Sequence, residues 1–209
     1  MEVLTVFDQR TPQTVRATAE VLRGWTYDLP LPTDDARCLG FILEQSIAFR
    51  LRDGLPEHEV SLGGATEYPN LTVVGHDGRL AFEVKAAPRT SQISNRVKSP
   101  EPILRFYPAY DGHWVIALFY SFDEDGVHLR NLHGCLLELW QYSAAAFKDM
   151  SALCALGSLD RMLRRTQMEK AFGSEQEFLD FCTYMSSHPG TTAQRNAAVR
   201  EWLRQRRVT

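Results

Sequence analysis

The spacing of apolar residues changes along the chain, and each change marks an element. From Thr14 to Arg23 it is helical. Thr26 to Thr33 contains Pro30 and Pro32, which fix their own backbone angle and donate no amide proton, so a connector is expected there. From about Ala36 to Arg52, Leu39, Ile42, Leu43, Ile47 and Leu51 recur at helical spacing; Asp34 and Asp35 offer capping oxygens before the run and Gly54 closes it. The period then falls to that of strands. Leu71–Val74 and Leu80–Ala86 flank Gly75–Gly78, which predicts a hairpin. Trp114–Phe122 is apolar without alternation, as expected of a central strand covered on both faces. Helical spacing returns after Gly157. Ser174 with Glu177 three residues on forms a capping box, and Pro189-Gly190 separates that helix from a last one near Thr192 to Arg204.

This order predicts an α/β (α+β) fold, a mixed sheet flanked by helices, in one domain spanning residues 1–209. Composition agrees with a globular chain, at 44% hydrophobic and 23% charged residues. Met1 to Arg10 lacks the basic and apolar regions of a signal peptide and there is no long apolar run, so a cytoplasmic protein without a membrane partner is expected. Cys38, Cys135, Cys154 and Cys182 are far apart, without a C-x-x-C pair, and are expected as buried free thiols.

A net charge of −3 argues against a general nucleic-acid coat, but its distribution is uneven. After Thr191 there are five arginines (Arg195, Arg200, Arg204, Arg206, Arg207) against the single acid Glu201. Such a tail serves either a local polyanion contact or the negative end of a helix. Arg96, Lys98 and Arg105, interleaved with Pro100, Pro102, Phe106 and Tyr107, are candidates to line a DNA cleft, with a solvated loop as the alternative.

Hydrolysing a phosphodiester requires a divalent cation, carboxylates to hold it and a group to position the water. Glu83-Val84-Lys85 on a strand would place Glu83 and Lys85 on one face, with Val84 packed behind. Pairing across the hairpin brings Asn70, after Pro69, near that end of the second strand, where a second metal ligand is required. Taken alone, E-x-K is also the pattern of an ion pair on an exposed sheet. Glu44 in the preceding helix, with Gly40 one turn earlier, makes the order helix acid, Pro-x, hairpin, E-x-K.

These residues resemble type II restriction endonucleases of the EcoRV kind, within the PD-(D/E)xK nuclease superfamily. Leu39–Glu44 is similar to L-x-x-I-x-E, Tyr68–Thr72 to Y-P-D-F-T, and Phe82–Lys85 to I-D-I-K. Gly112–Ile116 is similar to A-H-W-I-I, and Phe172–Phe181 to F-D-S-E-D-E-F-L-D-Y. Arg195-Asn196, Arg200-Glu201-Trp202 and Arg206-Arg207 extend the likeness at a shorter spacing. The resemblance implies a homodimer that encloses double-stranded DNA, binds Mg²⁺ and cuts both strands at a palindrome. It places metal at Asn70, Glu83 and Val84, a water-orienting role at Lys85 and an auxiliary acid at Glu44. Arg195 and Arg200 become candidates for phosphate contact.

Two departures stand out. The stretch Lys148 to Cys154 has no glycine where these enzymes carry a Gly- and Asn-rich major-groove loop, so Asp149 and Ser151 become candidates for a different base readout. The larger departure is Asn70 in the place of an aspartate, which leaves the site one negative charge short for a hard dication. Three accounts of it stay open: a substitution introduced to trap intact DNA, a natural homologue that binds without cutting, and an active variant using another ligand such as Glu44. A repair or structure-specific nuclease on the same core is a further alternative. His113, before Trp114, is expected to close a turn, and Trp202, at helical spacing from Val199, to belong to a core.

Overall fold

The computed structural model describes residues 2–3, 7–25, 36–64, 68–88, 93–96, 100–122, 129–141, 154–157, 172–188 and 190–206. The chain falls into two compact units, Met1–Ser91 with Tyr110–Glu138, and Gln92–Ala109 with Leu139–Thr209.

The first unit is built on a six-stranded mixed sheet. Its strands are β1 (Glu2–Val3), β2 (Glu59–Leu62), β3 (Leu71–Gly75), β4 (Gly78–Pro88), β6 (Gly112–Phe122) and β7 (Leu129–Glu138), in the order β1-β7-β6-β4-β3-β2. β4 pairs antiparallel with β3, where Leu71 faces Phe82, and parallel with β6, where Glu83 faces Val115 and Lys85 faces Ala117. β6 is central, as its unalternating apolar run predicts, and every residue from His113 to Tyr120 is buried. The hairpin is tighter than expected: Gly75 and Gly78 pair with each other, leaving only His76 and Asp77 in the turn. Gly78 has φ 91°, and a side chain there would strike the Asp111 carboxylate.

Helices α1 (Gln13–Leu22) and α2 (Ala36–Gly54) belong to this unit. Leu39, Leu43, Ile47 and Leu51, all fully buried, join the apolar face of the sheet through Phe82, Val84 and Ile116. Each such side chain contributes ~2 kcal/mol of apolar burial. Cys38 lies on the outer side of α2 and is exposed, unlike Cys135 and Cys182; the thiol expectation holds for those two and fails for Cys38 because its neighbour Leu39 takes the inward position. The connector at residues 26–33 and the caps at Asp34 and Asp35 lie outside the described residues.

The second unit holds α3 (Pro100–Phe106), a 3₁₀ turn (Tyr107–Ala109), the helices α4 (Glu175–Ser186) and α5 (Thr192–Arg206), and a ribbon in which β5 (Ile93–Arg96) pairs antiparallel with β8 (Cys154–Gly157). The solvated-loop alternative fails for Pro100–Phe106. Its two prolines occupy the first helical turn, where a missing amide proton costs nothing. Ser174 caps α4, its hydroxyl accepting the Glu177 amide at 3.3 Å. Phe172, Phe178, Phe181, Cys182 and Met185 are buried in this unit, and the half-buried Trp202 packs its ring against Phe181 and Tyr184.

α1 has Pro12 at its cap position and no acid in its first turn. The hairpin turn supplies the missing cap: Asp77 Oδ2 accepts the Thr14 amide at 2.6 Å. Partial burial pushes the Asp77 carboxyl up, but the Thr14 amide and hydroxyl and the Gln13 amide outweigh this and hold it below its ordinary 3.8. A carboxyl lowered in the folded state stabilises the fold above its unfolded pKa, and the contribution is lost as pH falls through the folded value. Asp77→Ala should therefore cost ~1 kcal/mol near neutral pH, and denaturant titrations of variant and parent should converge in strong acid. A difference independent of pH would refute the charged cap.

Candidate active site

Glu83, Val84 and Lys85 lie mid-strand on β4, and alternation sends Val84 into the core while its neighbours share the other face. Lys85 Nζ is 2.6 Å from Glu83 Oε1. The alternative of an ion pair on an exposed sheet fails, because Glu83 is only 4% exposed. Removing a carboxylate from water is costly unless a partner replaces the lost hydration, and Lys85 supplies one.

Asn70 precedes β3, and the Leu71–Phe82 register carries it to the level of Glu83 and Val84. Its own backbone is tied down, since its carbonyl accepts the Gly63 amide at 2.8 Å. A side chain on Gly63 would strike the Pro69 carbonyl, so the close approach requires glycine. The Asn70 side chain makes two bonds of opposite sense. Oδ1 accepts the Val84 amide at 2.9 Å, and Nδ2 donates to Glu44 Oε2 at 3.0 Å. Glu44, on α2, thereby joins a strand pair distant in sequence. Within the first unit, Asn70 thus links Glu44 to the β4 backbone at Val84, whose two neighbours in the strand, Glu83 and Lys85, form their own pair.

Tyr68 and His113 are part of this neighbourhood and were not among the expected site residues. His113 does not close a turn: it is the second residue of β6, pairs with Ala81 and is 4% exposed. A sheet position follows because β6 begins at Gly112. The Tyr68 hydroxyl lies 2.6 Å from His113 Nδ1 and the rings stack, with centroids 5.8 Å apart and planes at 11°. Burial, then the charge of Glu83, then Tyr110 push the Tyr68 hydroxyl far above its ordinary range, so it keeps its proton. The Tyr68–Pro69 peptide is cis. The sequence does carry a signal for this pair, since both residues fall inside the quoted Y-P and H-W matches.

The remaining candidates belong to the second unit. Arg96 ends β5, opposite Cys154, and Arg200 is exposed on α5. Arg195 lies on the same helix, its side chain outside the described part. Lys98, Asp149 and Ser151 lie outside the described residues.

As they stand, the residues do not fit a hard dication. Among the described residues no three His, Cys, Asp or Glu side chains converge as a metal site. Of the two carboxylates present, Glu83 holds the Lys85 ammonium and Glu44 holds the Asn70 amide. Asn70 is neutral, and its oxygen is engaged by Val84.

Compared with known proteins, the sequence matches no family model and no curated protein. Among solved structures it is similar to the NlaIV restriction endonuclease, with a TM-score of 0.50 and 13% identity over 100% of this chain and 92% of that one. The fold is restriction-endonuclease-like. Among the described residues no helix is long and apolar enough to cross a membrane.

The Tyr68–His113 bond ties the segment before Asn70 to β6 in a buried setting. Tyr68→Phe keeps the ring and removes the bond, so it should cost on the order of 1–3 kcal/mol in denaturant unfolding; a stability unchanged from the parent would show that the bond contributes nothing.

Proposed function

We propose that this chain is a DNA-binding protein with the hydrolytic apparatus of a type II restriction endonuclease, silenced at Asn70. The observation that supports the reading is that Asn70 bonds both Glu44 and the Val84 amide, next to the Glu83–Lys85 pair, on a restriction-endonuclease-like fold. In this reading the protein binds double-stranded DNA in the cytoplasm as a homodimer at a palindromic site. Glu83 is the remaining metal carboxylate of the strand pair, Lys85 orients the attacking water, and Glu44 assists. Val84 contributes through its backbone, which positions residue 70. Mg²⁺ is the cofactor the chemistry calls for, where it would neutralise charge developing on the phosphodiester. Asn70 withholds the carboxylate needed to hold it.

A second reading, a homologue that binds DNA without cutting, is favoured by the bond from Asn70 to Glu44, which an aspartate could not donate. Digestion of long DNA separates the two. Asn70→Asp should raise Mg²⁺-dependent cutting by orders of magnitude, and Glu83→Ala or Lys85→Ala in that background should abolish it with DNA binding largely retained. If the Asn70→Asp protein binds DNA but cuts with neither Mg²⁺ nor Mn²⁺, the non-cleaving reading replaces the nuclease. Full-rate cutting by the Asn70 protein would keep the nuclease and make Glu44 the next carboxylate to remove.

Binding has its own test. Phosphate contacts release counterions, so affinity should fall steeply with rising salt. Replacing Arg195 and Arg200 by alanine should weaken all duplexes alike and flatten that slope. Asp149 and Ser151 are assigned to base readout, so changing either should shift the site recovered from a random duplex pool more than it lowers total affinity. Unchanged slopes or an unchanged site would remove these assignments.

A further inference from the structure

We infer that the Asn70 amide takes the place of a divalent cation, holding Glu44 to the β3–β4 pair so that the site closes without metal. The inference rests on the reading above, in which this is a nuclease's metal position and DNA is the ligand.

The orientation of the amide is not free. Val84 presents an N–H at 2.9 Å, so the atom facing it is Oδ1, and Nδ2 faces Glu44 Oε2 at 3.0 Å. A flipped amide would set N–H against N–H on one side and oxygen against a carboxylate on the other. Asn70 thus meets a donor and an acceptor at once. A carboxylate in the same place meets the donor only. Its second oxygen would face Glu44 across the present 3.0 Å, two like charges in a partly dry site. In that case a bound cation or proton must relieve the repulsion. In this chain a neutral N–H₂ group relieves it, while the Lys85 ammonium does the equivalent for Glu83 Oε1. Residue 70 therefore sets whether the folded site needs a dication, quite apart from whether it cuts.

The test is thermal unfolding without DNA, in EDTA and in rising Mg²⁺, for the parent, Asn70→Asp, and Asn70→Asp combined with Glu44→Gln. The parent should melt at the same temperature in both conditions. Asn70→Asp should melt at least ~3 °C lower in EDTA and recover as Mg²⁺ rises, since a ligand bound only by the folded state stabilises it by mass action. The double variant, relieved of the like-charge contact, should melt near the parent in EDTA. A parent stabilised by Mg²⁺, or Asn70→Asp melting like the parent in EDTA, would overturn the inference. If Asn70→Asp fails to fold in EDTA, folding of the double variant supports it and failure of the double variant overturns it. A titration of the parent with duplex DNA keeps the two proposals apart: equal binding in EDTA and Mg²⁺ is expected, and binding only with Mg²⁺ overturns the metal-free site. No binding in either condition, with the melts as expected, overturns the DNA reading and leaves the amide contact in place.

Discussion

The site depends on the double pairing of β4. Antiparallel to β3 on one side and parallel to β6 on the other, it is fixed in register along nearly its whole length. Because strand side chains alternate, that register decides which residues meet the apolar core and which meet the acids. A slip of one residue would put Glu83 and Lys85 among Phe82's neighbours and turn Val84 outward. The fully buried leucines of α2 make such a slip prohibitive, and the same packing holds Glu44 beside Asn70. Core and site are therefore one arrangement seen from two faces.

What could be read from the sequence was what short-range pattern determines. The α2 run, the hairpin, the unalternating β6 and the Ser174 cap each have a period or a turn residue of their own, and each lies within a few residues of its expected place. β2 is four residues long, and β7 mixes Arg130, Asn131 and His133 with apolar residues, so neither has a period to detect. The prolines of α3 read as loop because their meaning changes with position in a helix. The site divides the same way. The Glu83–Lys85 pair follows from alternation over two residues. The Asn70–Glu44 and Tyr68–His113 bonds span 26 and 45 residues and exist only once the sheet has formed.

Asn70 is not simply an aspartate that has lost a charge. It is both donor and acceptor, and its two neighbours require one of each. In the metal-free protein it is the better-satisfied residue of the two. A carboxylate there would be a strained choice, tolerated for what it binds. Sites built for chemistry commonly carry such strain, and substitutions that relieve it gain stability at the expense of activity.

Glu83 points the other way. A buried carboxylate paired with a lysine adds little to stability, because the cost of desolvating both charges offsets their attraction, and an apolar pair of similar volume would serve the sheet as well. Nor does binding DNA call for a buried acid, since phosphate repels one. On the proposed reading, Glu83 and Lys85 are kept as chemical groups, and Asn70 is the residue that quiets them. The two proposals are compatible if β4 has kept its Glu83–Lys85 pair while the proposed metal position is held by a single amide. On that view the distance between a cutting and a non-cutting protein on this fold is one side chain, with the Val84 amide and the Glu44 carboxylate already in place to receive either form.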